Sequence, residues 1–526
     1  MAEVDNEQVN NIEVGIIGGG SMGKGMTLLF SEHGSRDYDT KAVHNLMQEA
    51  KEDQTVDEKL VFGFTSIQKL ANAFPKQSGQ PRLIVLSLPH GKPVDGILED
   101  LLPIMEKGDI VIDAGNEWWA DTERRQKVAA EKGWEWVGMG VSGGYQAARH
   151  GPSMSVGCTE KTWEFIKPYL EKWCAHTPSG EPCVARMGPG GAGHYVKMIH
   201  NGIEHAHLSI LCEVRGLLYH QYQVSNDVIS DVFEKWYKDG PLRGNFLVGI
   251  GYKGLRFKEG DGIKDERGIV EGIEDKVTQD VDLSEGTGTW STRVGDAFCN
   301  HDDSDAIIQE IAQRHVAAPA IAASHCLRII SANRDERLKV VENLKIPQAS
   351  EKKVNLDKAE LDKFLDIVEQ AVYGGILGAF VQGLEMITKA SSDEKWDVSL
   401  ETCIKIWRAG CIIQSDAIAE LLLPLLKSFP PSQPLNLLST IPEVSKILSS
   451  TYQPMKQVYA IGIEKDAVMP AVGATVEWLK AIGGKQLPTD FEEMELDYFG
   501  HHNYDLKSEP VAGHEKGKYH TEFQST

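Results

Sequence analysis

Four residues in one short stretch have the types and the spacing for acid–base chemistry. Gly190 to His207 reads G-G-A-G-H-Y-V-K-M-I-H-N-G-I-E-H-A-H and contains Lys197, His200, Asn201 and Glu204. On an α-helix, positions i, i+3, i+4 and i+7 fall within about 100° of arc, so the four share a face. Val196, Met198 and Ile199 supply apolar neighbours. A lysine desolvated among them would lose basicity and could serve as a general base. The competing reading is a solvated polar face with a Lys and a Glu two turns apart. His200 alone would more often be a structural hydrogen-bonder than a catalyst. The constellation is worth more than any member.

The elements that must position this stripe begin at the amino terminus. Val14 to Ile17 is a short apolar run that enters G-G-G-S-M-G, and a helical pattern through Met22, Met26, Leu29 and Phe30 follows. Gly18, Gly20 and Gly23 thus form G-x-G-x-x-G in a strand–turn–helix context, the arrangement that seats a dinucleotide pyrophosphate on a helix N-terminus. Ser21 and Met22 lie in the same turn. Asp39, in D-Y-D-T-K, stands about where the second strand should end in a ribose-binding acid. It is either that acid, which would favour NAD over NADP, or a solvated loop aspartate. The segment Ser35 to Asp39 is poor in apolar residues for a strand.

Later apolar runs at Leu83–Leu86, Ile110–Ile112 and Trp136–Met139 alternate with helical stretches at Val94–Met105 and Asp121–Lys132. Strands alternating with helices predict a parallel sheet with right-handed crossovers. From Ala192 the period is helical, as in Val196–Tyr222, Ala306–Ala332, Asp357–Ala390 and Leu400–Leu426. The charged segment Lys258–Gly268 reads as a surface insertion, and a polar tail with aromatics follows Gly483–Gly484. The expected fold is an α/β Rossmann domain over 1–190, a large all-α domain over 191–484 and a C-terminal tail over 485–526.

Composition narrows the function classes. The chain has 526 residues, 41% hydrophobic, with 54 Lys+Arg against 77 Asp+Glu and a formal net charge of −23. Such a surface repels nucleic acid and anionic membrane, although a local basic pocket could hold a small anion. The acidic, polar N-terminus is neither a signal nor a transit peptide, and no apolar run reads as long enough to span a bilayer. Eight scattered cysteines without C-x-x-C or zinc spacing read as reduced thiols of a cytoplasmic protein, with no metal site.

Taken together, the motifs carry a family resemblance. They are G-G-G-S-M-G, D-A-G-N (Asp113–Asn116), V-S-G-G (Val141–Gly144), G-P-S-M (Gly151–Met154), the lysine stripe itself, G-T-G-T-W (Gly286–Trp290), W-R-A-G-C-I-I-Q-S (Trp407–Ser415) and D-Y-F-G-x-H (Asp497–His502). V-S-G-G alone would pass for an ordinary turn. As a set these motifs resemble the 6-phosphogluconate dehydrogenases, within the β-hydroxyacid dehydrogenases, from about Val14 to the tail with a divergent stretch at Phe246–Val281. The resemblance implies NADP-dependent oxidative decarboxylation of a sugar acid, 6-phosphogluconate by default. Lys197 would act as the base and Glu204 as the acid. Asn201, His200, Asn116, Ser142, Gly143 and Gly144 would orient the sugar, with Asn116 also beside the cofactor. It further implies a homodimer in which the tail completes the neighbouring site.

Three positions depart from the family's phosphate-binding set. Arg328 and His502 match it. The family's Tyr after the catalytic Glu is His205, its Lys before G-T-G is Glu285, and its Arg before D-Y-F-G is Leu496. Two other readings stand beside the default: the same chemistry on an unphosphorylated aldonate, and a weakly active binding or regulatory homologue.

Overall fold

Leu83–Leu86 and Ile110–Asp113 are apolar at nearly every position, which suits strands covered on both faces rather than one. Both are strands in the computed structural model, and all eight residues are buried. The structure describes residues 12–18, 21–32, 61–62, 64, 66–75, 80–258, 268–277, 306–348, 356–429, 436–507 and 517–523. The chain divides into two compact units, Met1–Thr475 and Val476–Thr526.

In the first unit, six described strands form one sheet: β1 (Gly15–Ile17), β2 (Leu83–Leu86), β3 (Ile110–Asp113), β4 (Glu135–Ser142), β5 (Ser153–Gly157) and β6 (Val184–Gly188). Their order is β1-β2-β3-β4-β5-β6. Helices α1 (Ser21–Glu32), α2 (Lys92–Leu101), α3 (Trp119–Lys132), α4 (Gly144–His150) and α5 (Glu160–Trp173) alternate with the strands. Separate apolar clusters cover the two faces: Met26, Phe30, Ile112 and Trp173 belong to one, Leu70, Val94, Leu98 and Trp134 to the other. The expected all-parallel sheet is corrected at one point, because β4 and β5 pair antiparallel while the other described pairs are parallel. Only residues 143–152 join β4 to β5. That is short for a parallel crossover, which needs a dozen or more residues, whereas an antiparallel partner can be reached through α4 alone. The weak second strand expected at Ser35–Asp39 lies outside the described residues, as does most of the Lys258–Gly268 insertion.

Beyond β6 the first unit is helical. Helix α6 (Ala192–Gly216) is buried over almost its whole length, which marks a core helix rather than a surface one. It packs on β4, β5 and β6, and also against α7 (Pro319–Ala332) and α8 (Lys358–Glu394). A π-helical turn, Leu217–Gln221, prolongs it. Helix α8 starts at a capping box made by Asp357 and Glu360. Contrary to the sequence expectation, α8 does contain a window long and apolar enough to cross a bilayer. That window is 67% buried, packed against α6 and α11 (Pro442–Glu464), so its apolar character is explained by the core.

Two expected helices are each broken in two. Ala306–Ala332 divides into Ala306–Gln313 and α7, where His315 takes a positive φ of 53° and Pro319 opens the new helix. Leu400–Leu426 divides into α9 (Leu400–Ile406) and α10 (Asp416–Leu426). The break is the W-R-A-G-C-I-I-Q-S motif, residues Trp407–Ser415, which forms a loop. In the second unit α12 (Thr489–Gly500) carries Asp497 in its last turn, whose carboxylate accepts from the backbone N–H of Asn503 and Thr521 and contacts His520 at 2.9 Å.

Candidate active site

The polar stripe forms at the sheet end of α6. Lys197, His200 and Asn201 are all buried, and Glu204 is partly so. The helix approaches the sheet closely enough that a Cβ at Gly140, on β4, would collide with the Cβ of Lys197 and lie 2.7 Å from Ser155 Oγ. Glycine at 140 is therefore what allows the lysine to sit against the strand. Gly140→Ala is expected to push α6 off the sheet and destabilise the fold by about 1–3 kcal/mol, the usual cost of overpacking. Activity should fall more steeply than stability, which paired calorimetry and turnover measurements would separate.

A hydrogen-bonded chain crosses from strand to helix. Ser142 Oγ lies 2.7 Å from His200 Nε2, and His200 Nδ1 lies 3.2 Å from Asn201 Oδ1. The chain is satisfied when Nδ1–H donates to the amide oxygen and the serine hydroxyl donates to Nε2. Burial, reinforced by Lys197, holds the His200 imidazole well below its ordinary pKa and therefore neutral. Asn201 Nδ2 remains buried with no partner among the described residues. A buried amide donor of this kind is costly unless a ligand takes it up.

Burial shifts Lys197 and Glu204 in the directions that proton transfer favours. Burial pushes the Lys197 ammonium below its ordinary pKa, against the opposing pull of Glu204 and Cys411. Burial likewise raises the Glu204 carboxyl, against Lys197 and Arg328. Both groups are displaced toward their uncharged forms. Arg328 thus faces Glu204 from α7, and it acts on His205 as well. The His205 imidazole is buried and held neutral, chiefly by desolvation.

The broken helix proves to be part of this site. Ser153 N–H donates to the Gly410 carbonyl at 2.9 Å, and Ser153 Oγ donates to the Ile406 carbonyl at 2.7 Å. The G-P-S-M segment thereby holds the 407–415 loop in place. Trp407 presents an edge to His200 at 6.0 Å, and Cys411 lies close enough to influence Lys197. Neither was a candidate site residue from sequence, although both fall in a motif that carried the resemblance.

The remaining candidates divide by location. Ser142, Gly143 and Gly144 turn from β4 into α4, and Asn116 follows β3 in the loop at its carboxyl end. Gly18 follows β1, and Ser21, Met22 and Gly23 open α1. A Cβ at Gly18, which has φ +115°, would collide with the Ser87 carbonyl, and one at Gly23 would collide with the Gly18 carbonyl. Gly18 and Gly23 are thus closed to side chains where β1 leads into the N-terminus of α1, which fits a dinucleotide pyrophosphate. Gly20, Asp39 and Glu285 lie outside the described residues. His502 belongs to the second unit, where its ring lies 6.1 Å from that of Phe499.

Comparison with known proteins agrees with this geometry along nearly the whole chain. Residues 13–188 match the NAD binding domain of 6-phosphogluconate dehydrogenase, and residues 193–523 match the 6-phosphogluconate dehydrogenase C-terminal domain. The chain belongs to the 6-phosphogluconate dehydrogenase family. Among its relatives, the decarboxylating 6-phosphogluconate dehydrogenase of Emericella nidulans is 38% identical over 518 residues, covering 96% of this chain and 99% of that one. The decarboxylating enzyme 1 of Spinacia oleracea is 32% identical over 517 residues and 97% of each chain. The structure of Plasmodium falciparum 6-phosphogluconate dehydrogenase, studied in its apo form, with its cofactor NADP+ and with its substrate 6-phosphogluconate, superposes with a TM-score of 0.79. It is 28% identical and covers 97% of this chain and 100% of that one.

Proposed function

We infer that this chain catalyses NADP-dependent oxidative decarboxylation of 6-phospho-D-gluconate to ribulose 5-phosphate and carbon dioxide. The observation that carries this reading is Lys197 and Glu204 on one buried face, each displaced toward its uncharged form. Gly18, Ser21, Met22 and Gly23 would hold the dinucleotide at the N-terminus of α1, and its nicotinamide supplies a hydride acceptor. Neutral Lys197 takes the proton of the C3 hydroxyl as the C3 hydride leaves, giving a 3-keto acid. The resulting ammonium returns that proton to the ketone oxygen as the C1–C2 bond breaks, so the electron pair is held in an enediol and carbon dioxide departs. Glu204 then protonates the former C2 of the enediol while Lys197 recovers the hydroxyl proton, leaving the ketopentose. Asn201 Nδ2, His200 and Ser142, with Gly143, Gly144 and Asn116, orient the sugar hydroxyls and carboxylate.

NADP is the dinucleotide of this reading. Asp39, as a ribose-binding acid, would favour NAD, so initial rates with both cofactors test its role. A homodimer in the cytoplasm belongs to the same proposal. The seven described cysteines are free thiols, and Phe491, Tyr498, Phe499 and His502 are exposed on the second unit, as a tail that completes a partner's site would require.

The phosphate end is built with fewer cations than the family pattern. His205 is a neutral imidazole, Leu496 is apolar, and Glu285 reverses a charge by sequence. At an effective dielectric of ~20, unit charges about 5 Å apart interact by roughly 3 kcal/mol before screening. Each 1.4 kcal/mol is about tenfold in affinity. Glu285→Lys combined with Leu496→Arg is therefore expected to lower the Michaelis constant for 6-phosphogluconate by about tenfold or more, with little gain for gluconate. The same observation favours an unphosphorylated aldonate as the second reading. Rates with 6-phosphogluconate and gluconate, each with NADP and NAD, decide between the two. A higher kcat/KM for gluconate would displace 6-phosphogluconate as the substrate.

A further inference from the structure

We propose that Glu117 and Arg125 are a positioning pair that locks the loops after β2 and β3 to each other and so fixes Asn116 at the junction of cofactor and substrate. Both side chains are fully buried, and Arg125 Nη1 lies 2.6 Å from Glu117 Oε2. The two partners also grip the same residue, Gly91, in the β2 loop, one at its N–H and the other at its carbonyl. Glu117 Oε2 accepts from Gly91 N–H at 3.0 Å, and Arg125 Nη2 donates to the Gly91 carbonyl at 3.2 Å. Arg125 Nε donates to Asp95 Oδ1 at 2.8 Å, which ties the first turn of α2 to the same centre.

The pair grips the β3 loop just as firmly. Glu117 Oε1 accepts from Trp118 N–H at 2.9 Å, while on the other side of Asn116 the Asp113 Oδ1 accepts from Gly115 N–H at 3.2 Å. Asp113 Oδ2 in turn lies 3.9 Å from Arg125 Nη1. The backbone is thus pinned at Gly115 and at Trp118, on either side of Asn116. These loops leave the carboxyl ends of neighbouring parallel strands, where doubly wound sheets bind their ligands. A buried ion pair is weak evidence for stability as such, because apolar residues of similar volume often serve as well. What an apolar pair could not do is hold both ends of Gly91 and the N–H of Trp118 at once.

This assignment rests on the proposed function for the role of Asn116, and a double-mutant cycle on the full-length enzyme tests it. Glu117→Gln, Asn116→Ala and the double variant are compared by kcat, by KM for NADP and for 6-phosphogluconate, and by melting temperature. Dissociation constants for NADPH come from its fluorescence, independently of turnover. The expected result is that Glu117→Gln lowers kcat/KM at least tenfold in the wild-type background. In the Asn116→Ala background it should lower it by less than twofold, because its effect passes through Asn116. Equal losses in both backgrounds, or no loss in either, overturn the assignment. Should Glu117→Gln fail to fold, Arg125→Lys, which keeps the charge but loses the fork that reaches Gly91, is run through the same cycle with the same criteria. A wild-type enzyme that binds NADPH but does not turn over 6-phosphogluconate would instead sink the functional reading, and the cycle would then be read in NADPH affinity.

Discussion

Lys197→Met is expected to lower kcat by about three to four orders of magnitude, the upper range for loss of a positioned general base. The dissociation constant for NADPH should stay within about twofold of wild type. The geometry gives the reason for both. Lys197 is the buried amine whose desolvation prepares it to accept a proton, whereas the dinucleotide turn at Gly18–Gly23 belongs to a different strand–helix junction. Methionine matches the length of the lysine stem, so the close approach to Gly140 is kept and α6 should stay seated. Stopped-flow measurement of the reduced nicotinamide isolates the oxidation step. A variant that retained more than a tenth of wild-type hydride transfer would remove Lys197 as the base.

Glu204→Gln should divide the reaction differently. Oxidation depends on Lys197, so reduction of the dinucleotide persists, while ketopentose formation slows by about two to three orders of magnitude for want of a proton donor. The pH profile follows from the directions of the two shifts. Activity rises with pH as Lys197 deprotonates, below the ordinary lysine range, and falls as Glu204 ionises, above the ordinary carboxylate range. The stability consequences run in opposite directions with pH. A folded-state Glu204 pKa raised by burial contributes stability that is present at low pH and lost as pH rises through it. A Lys197 pKa depressed by burial opposes folding below its unfolded value, and that penalty grows as pH falls. In Glu204→Gln the alkaline limb of kcat/KM should flatten. An unchanged alkaline limb would assign that ionisation to another group.

Much of this arrangement could be read from the sequence because it is local. The runs Leu83–Leu86 and Ile110–Asp113 declare strands covered on both faces, and the K-x-x-H-N-x-x-E spacing declares one helix face without reference to any partner. Strands β5 and β6, S-M-S-V-G and V-A-R-M-G, were not legible, since each is short, contains glycine and is held as a strand by its neighbours. The 407–415 loop was hidden for the opposite reason. Its apolar residues continue the helical period of the flanking sequence, and residues far away in the chain, Ser153 and Phe246, hold it open. The bond from Ser142 to His200 likewise spans 58 residues and leaves no periodic trace. Direction of charge was legible only in part. The stripe suggested a desolvated lysine, but that burial also raises the Glu204 carboxyl follows from the packing of α6 against the sheet.

The most direct test of the account uses 6-phosphogluconate labelled with heavy carbon at C1 and limiting NADP, following NADPH by absorbance and labelled carbon dioxide by mass spectrometry. One labelled carbon dioxide is expected for each NADPH formed, with unlabelled ribulose 5-phosphate as the other product. NADPH formation without labelled carbon dioxide, or no reduction of NADP at all, would contradict it.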